Sequence, residues 1–364
     1  MTDPARFDKH PRFLLRQTEP FNGGPPPDLL RRSPITPNDL FFVRNHGDVP
    51  ALDAARHRLI LEGAVERPLE LSLAELAAFP STRVVATLQC AGNRRQELAA
   101  WRPIPHELPW GAEAVSTAIW TGVRLADLLA AARPTPAARH AACEGRDQTE
   151  RQGRRCSFGG SIPLAKAASP EVLIAYEMNG VPLPAVHGFP LRLVVPGWIG
   201  ARSVKWLHRI VLQPEPADNY FQSVAYRLFP ATTGPENVVW SEGTMLGELS
   251  VNAFLTAPEP GARLPVGRVR CEGVALAGGG RQVERVELSR DGGRTWLQAR
   301  LEPAPSAWSW RHWSADLELA GGRQELVVRA WDSAAQTQQP TVDQVWNFKG
   351  YMNNAWHRVE FEVG

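Results

Sequence analysis

The sequence contains no Cys-x-x-Cys pair. Its 4 cysteines, Cys90, Cys143, Cys156 and Cys271, stand far apart. That scatter excludes a zinc knuckle and a dense disulfide framework, and the lack of Cys-x-x-Cys-His excludes a covalently attached haem. No apolar stretch approaches the ~18 residues of a membrane span, and the N-terminus has no apolar core before a small-residue cleavage site. Arg31-Arg32 is followed by SPITPNDL rather than an apolar run, so it does not read as an export signal. Unpaired thiols and no leader predict a cytoplasmic protein without membrane contact. A strong charge of either sign is also missing. The formal net charge is +2 with 21% charged residues, which argues against a nucleic-acid binder or a disordered chain. Net charge averages over the surface, however, and local arginine clusters can still form a positive pocket for a small anion.

At 364 residues the chain is long enough for two or three domains and a buried active site. Residues 1–38, with Gly23-Gly24-Pro25-Pro26-Pro27, predict an irregular segment wrapped over a surface. From residue 39 to about 240, short apolar runs (HRLILEGAV, TRVVATLQC, VLIAYEMNG, LRLVVPG) alternate with helix-like segments (LSLAELAAF, RLADLLAAA). This pattern predicts a mixed α/β domain. From 241 to 364 the texture changes to alternating segments about every 10 residues, among them VGRVRCEGVAL and QELVVRAWD, with a turn at Asp291-Gly292-Gly293. The spacing predicts an immunoglobulin-like β-sandwich and an overall α+β class.

The chemically informative run is Thr87-Leu88-Gln89-Cys90-Ala91-Gly92-Asn93-Arg94-Arg95, a strand end turning into a polar loop. Two arginines beside a cysteine favour the thiolate, a soft ligand for a redox-active metal. Taken alone, such a cysteine is more often a buried structural thiol. Two further segments, from His187 to Arg192 and from Gly200 to Lys205, place His, Arg and Lys beside Gly and Pro turns in apolar surroundings. Buried cations need anions, and a phosphate would supply one. An equal alternative pairs them with acids such as Glu177 or extends them to water.

LQCAGNRR, Leu108-Pro109-Trp110, EMNGVPLPAVHGFPLRLVVPG, GARSVKWL and WNFKGYMNNAWHRV, in that order, resemble the molybdenum module of the sulfite oxidase and eukaryotic nitrate reductase family. The resemblance runs from about Leu40 to Val359. It implies a molybdopterin-binding domain followed by a sandwich that forms a homodimer, with Cys90 as the ligand to molybdenum. Arg44, Asn45 and His46 match a segment at the cofactor, the arginine also facing substrate. Asp147, His187, Arg192, Arg202, Ser203 and Lys205 match positions holding the pterin and its phosphate. Arg95, Trp110 and Tyr226 match residues lining an oxyanion pocket. The implied reaction is oxidation of sulfite to sulfate by oxo transfer. Asn353, Asn354, Trp356 and His357 are expected to fix the contact between domains, and Trp308, Trp310 and Trp313 to pack.

Two departures stand out. Sulfite-oxidising members typically carry arginine within WNLRG, where this chain has Lys349, which keeps the charge without the planar two-pronged geometry. Nitrate reductases usually lack a cation there. There is also no His-Pro-Gly-Gly haem signature, so electrons are expected to pass to an external acceptor: a cytochrome, a quinone-linked partner or dioxygen. The competing expectations are a reductase of nitrate or of an S- or N-oxide, and a non-catalytic dimeric binding module.

Overall fold

A computed structural model describes residues 4–364. Two sheets form the first part of the chain. One is antiparallel, ordered Val181–Pro182, Leu173–Met178, Val115–Arg124, Ser81–Gln89, with Arg192–Val194 also paired to Leu173–Met178. The other runs Leu69–Leu71, Leu59–Gly63, Leu207–Gln213, His140–Arg151, Arg154–Pro163, and its Leu207–Gln213 strand lies parallel to Leu59–Gly63. Their inner faces share one core that includes Leu61, Val123, Ile174, Leu193 and Ile210. Each such side chain, removed from water, stabilises the fold by about 1.5–3 kcal/mol.

The helices on this core follow from local rules. In Leu125–Ala132 the buried residues Leu125, Leu128, Leu129 and Ala132 repeat at helical spacing and face the sheet. Leu73–Ala77 starts at Ser72, whose side chain accepts from the Glu75 N–H while Glu75 reaches back to the Ser72 N–H, satisfying two otherwise open donors. Among the described residues no helix is long and apolar enough to cross a membrane.

The N-terminal segment departs from expectation. Leu14–Gln17 and Asn22–Gly24 form an antiparallel pair, and Pro27–Leu30 makes a helical turn. The glycines serve close approach rather than freedom. A Cβ on Gly23 would stand 2.5 Å from the Leu14 carbonyl oxygen, and one on Gly24 would stand 2.5 Å from that of Glu113. Asn22 then donates to the Asn45 carbonyl (3.1 Å) and accepts from the Asn45 N–H (2.6 Å), tying the segment to the loop that carries Arg44 and His46.

Beyond residue 250 two sheets pack face to face. One contains Asn252–Ala257, Gly267–Leu276, Arg311–Leu319 and Arg300–Leu301; the other contains Arg263–Leu264, His357–Val363, Gly322–Asp332, Val283–Ser289 and Leu297–Gln298. His357–Val363 shows the alternation behind the sandwich: His357, Val359, Phe361 and Val363 are buried, and Arg358, Glu360 and Glu362 are exposed. Trp310 and Trp313 are buried, so the tryptophans pack as expected. Their loop also reaches the first part of the chain. The Trp308 carbonyl accepts from the Thr87 N–H (3.0 Å), and the Trp310 N–H donates to the Thr87 hydroxyl (2.8 Å), bracing the strand that leads to Cys90.

Candidate active site

Cys90 immediately follows the Ser81–Gln89 strand and is nearly buried. Its N–H donates to the Ala114 carbonyl, and the Gly92 N–H points at Sγ from 3.4 Å. The next turn is strained: Arg94 has φ 63° in the left-handed region. Its buried guanidinium holds that conformation by donating to Glu97, to Asn252 Oδ1 (2.8 Å) and to the Ala355 carbonyl (2.9 Å). Asn353 donates to the Arg94 carbonyl (3.0 Å), and His357 Nε2 stands 3.7 Å from Glu97 Oε1. The expected role of Asn353 and His357 between domains matches this geometry.

Cys90 opens onto a cleft of about 650 Å³, counting the part open to solvent. The structure gathers Arg44, Asn45, His46, Cys90, Asp147, His187, Arg192, Ser203, Lys205 and Tyr226 around it. Asp147 lies within the strand His140–Arg151 and Arg192 opens the strand Arg192–Val194, while the others come from turns and loops between elements. Tyr226 ends the π-helical turn Phe221–Ala225, an uncommon element that often marks a functional position.

The walls are cationic, and their charged groups are buried or half-buried. Burial lowers the pKa of Arg192 to about 9, and it carries Lys205 well below the ordinary lysine value, with neighbouring cations adding to the effect. Burial also raises the Asp147 carboxyl above its usual range against the pull of Lys205. Arg192 donates to the His187 and Ser203 carbonyls, while Lys205 donates to Val186 and Asn45 oxygens. Asp147 Oδ1 and Arg192 Nε are buried and have no hydrogen-bond partner among the described residues. An unmatched acceptor and an unmatched cationic donor in one cleft fit a ligand that combines polar ring nitrogens with an anionic group. A phosphorylated pterin has both, and a thiol such as that of Cys90 is a soft ligand of the kind that a redox-active metal would accept.

Four expected residues lie outside this lining. Arg202 packs behind Tyr226, its guanidinium 6.0 Å from the ring centroid, and donates twice to the Leu246 carbonyl. Trp110 is fully buried beside Cys90 as part of an apolar cluster. Arg95 and Lys349 form a separate group beyond Tyr226. Arg95 donates to the carbonyls of Lys349 (3.1 Å) and Leu108 (2.9 Å), and its guanidinium stands 5.2 Å from the Tyr351 ring centroid, which in turn stacks on Tyr226 at 5.5 Å. Gly92 and Gly350 make room for Arg95; a Cβ on either would fall within 2.6 Å of its side chain.

Residues that the sequence did not single out complete the picture. Glu107 pairs with Lys349 and stands 3.6 Å from Arg95. It directly precedes the Leu108-Pro109-Trp110 run, but nothing in one sequence shows an acid facing inward. Lys9 donates to His187 Nε2 (2.7 Å) and to the carbonyls of Asn38 and Phe41 from a segment that reads as irregular. Arg151 reaches His46 Nδ1 (3.3 Å), as does Arg44 (3.2 Å). Burial first, then these arginines, hold His46 well below its usual pKa, so the ring is neutral.

The comparisons agree with this geometry. The family model of the oxidoreductase molybdopterin binding domain matches residues 46–221, and that of the Mo-co oxidoreductase dimerisation domain matches residues 244–364. The chain is 42% identical over 367 residues to sulfite oxidase of Gallus gallus, covering 98% of this chain and 78% of that one. It is 44% identical over 372 residues to mitochondrial sulfite oxidase of Homo sapiens, covering 99% and 67%. Among solved structures, the sulfane dehydrogenase SoxCD from Paracoccus pantotrophus superposes with a TM-score of 0.80 at 26% identity, covering 94% of this chain and 85% of that one.

Proposed function

The chain belongs to the sulfite oxidase family of molybdopterin oxidoreductases, and from that premise we propose that it oxidises sulfite and one water to sulfate, releasing two electrons and two protons per turnover. The observation that carries the reading is the nearly buried Cys90 thiol on a cationic cleft whose Asp147 Oδ1 and Arg192 Nε lack partners. Asp147, His187, Arg192, Ser203 and Lys205 would hold the pterin and its phosphate, with Asn45 bracing Lys205. Arg202 packs behind Tyr226 and keeps a buried Nη1 without a partner among the described residues, so it stays among the candidates for that phosphate. When bound, the molybdenum cofactor supplies the two-electron redox couple and the oxygen given to sulfite.

The protein's own part is orientation and charge. Arg44 faces the cleft beside Tyr226, with Arg95 and Lys349 behind it, so a sulfite anion is drawn by its oxygens and presents its sulfur lone pair to the metal. Both arginines that reach His46 Nδ1 can only donate, so Nδ1 accepts and Nε2 carries the hydrogen. Nε2–H therefore donates to the Tyr226 oxygen at 2.7 Å. The phenol hydrogen is then free to donate to a substrate oxygen.

The sandwich of residues 241–364 is the dimerising domain in this reading, after a catalytic domain of 39–240, and the active form is a homodimer. Electrons go to an external acceptor: a cytochrome, a quinone-linked partner or dioxygen. The four unpaired cysteines support a reducing compartment such as the cytoplasm. Two measurements on one preparation test the function: molybdenum content, and turnover of sulfite with ferricyanide against nitrate with a reduced dye. One molybdenum per chain and sulfite turnover well above nitrate turnover are expected; a folded, metal-free protein or a dominant nitrate activity would overturn the reading.

A further inference from the structure

The cations offered to substrate are not all unopposed. Lys349 Nζ pairs with Glu107 Oε1, and Arg95 Nη2 stands 3.6 Å from Glu107 Oε2. Two further donors of Arg95, on Nε and Nη1, serve the Lys349 and Leu108 carbonyls. All three side chains are mostly buried, with exposures of 4% for Arg95, 17% for Glu107 and 18% for Lys349. Burial alone would push the Glu107 carboxyl up, yet Arg95, Lys349 and Arg44 together hold it below the usual carboxylate range. It is therefore charged at neutral pH. The group beyond Tyr226 thus contains a resident anion on the very cations that the proposed reading offers to an oxyanion.

A carboxylate and a sulfur oxyanion present similar oxygens to a guanidinium and an ammonium. They compete for the same donors and repel each other across a poorly solvated gap. A fully ionised anion suffers most, because each added negative charge meets the carboxylate. Arg95 cannot turn away from Glu107 freely, since the Lys349 and Leu108 carbonyls anchor its Nε and Nη1. Lys349, a single flexible point charge, can exchange partners. A lysine suits this better than an arginine, whose fork would stay locked on the carboxylate.

We infer that Glu107 is a specificity-determining residue: an internal carboxylate that occupies Lys349 and Arg95 until an oxyanion displaces it, weakening the hold on doubly charged anions and easing release of sulfate. The inference rests on the sulfite-oxidising reading of the cleft. It assigns Glu107 a role opposite in sign to that of a structural ion pair. Loss of structure can only weaken anion binding, whereas loss of a competitor strengthens it.

The test uses the full-length, molybdenum-loaded protein and its Glu107→Gln and Glu107→Ala variants. Sulfate binding is measured by calorimetry at low ionic strength, and sulfite KM and kcat by ferricyanide reduction. Both variants should bind sulfate about 10-fold more tightly and show a sulfite KM lowered by a similar factor. Their kcat should stay level or fall as product release slows. Sulfate and sulfite constants within about twofold of wild type, weaker binding, or failure of both variants to fold would overturn the role of Glu107. If wild type itself neither turns over sulfite nor binds sulfate, the underlying reading fails with it, and that outcome is visible before any variant is made.

Discussion

His46 Nε2 and the Tyr226 hydroxyl oxygen lie 2.7 Å apart, and the direction of the hydrogen between them is set by two arginines on the far side of the ring. Because Arg44 and Arg151 both donate to Nδ1, the imidazole gives its hydrogen to Tyr226. Burial keeps the phenol protonated far beyond neutral pH. The side chain therefore accepts from His46 and keeps its own hydrogen to donate into the cleft.

Tyr226→Phe removes that donor while keeping the ring stacked on Tyr351. The kcat for sulfite should fall about 10- to 100-fold, the worth of one hydrogen bond that strengthens as charge develops on oxygen. Molybdenum content should stay near wild type. A kcat within twofold of wild type, at full metal loading, would remove the hydroxyl from the reaction.

Cys90→Ser replaces a soft ligand by a hard hydroxyl in a position with a single weak polar contact, the Gly92 N–H. Turnover should disappear, and stability by urea unfolding should change by less than about 1.5 kcal/mol. A variant that keeps turnover would show that the thiol is not the ligand.

Much of this was legible in the sequence because period and chemistry coincide. The helix Leu125–Ala132 and the strands ending at Gln89 and Met178 follow from apolar spacing, and the alternation of 357–363 follows from a sandwich with one wet face. Cys90, Arg44, His187 and Lys205 were found by motif and converge on one cleft. The N-terminal pair at 14–17 and 22–24 was not legible, since Gly24 answers to Glu113, far away in sequence, and Gly23 to a cross-strand partner that no apolar alternation announces. Lys9 and Glu107 were missed for the same reason: an isolated charge names no partner until the fold supplies one, as His187 and Lys349 do here. Arg202 matched a motif, while the Leu246 carbonyl that its Nε and Nη2 serve lies 44 residues away, and its Nη1 has no partner among the described residues.

Arg95→Met keeps side-chain length and loses the charge. The sulfite KM should rise by about 10-fold or more as anion attraction weakens. The structure adds a cost that motif alone would not suggest. The Leu108 and Lys349 carbonyls lose their donor and Glu107 loses a partner, so unfolding free energy should drop by about 1–3 kcal/mol. Unchanged KM and unchanged urea midpoint together would place this arginine outside both the pocket and its framework.

Lys9 carries a pH signature. Burial lowers its pKa from 10.5 to about 7, partly offset by Asp39. Between those values the unfolded chain binds the proton that the native protein has released. Stability therefore rises with pH across roughly 7 to 10, and below 7 the full cost of burying the ammonium remains. In Lys9→Met that dependence vanishes. The wild-type unfolding free energy minus that of the variant, from urea titrations at pH 6 to 10, should thus climb steadily above pH 7; a flat difference would mean that the ammonium is solvated. The same substitution leaves His187 Nε2 without its 2.7 Å donor on the wall of the cleft, so molybdenum retention on gel filtration should fall in the variant even at the pH where the two proteins are equally stable.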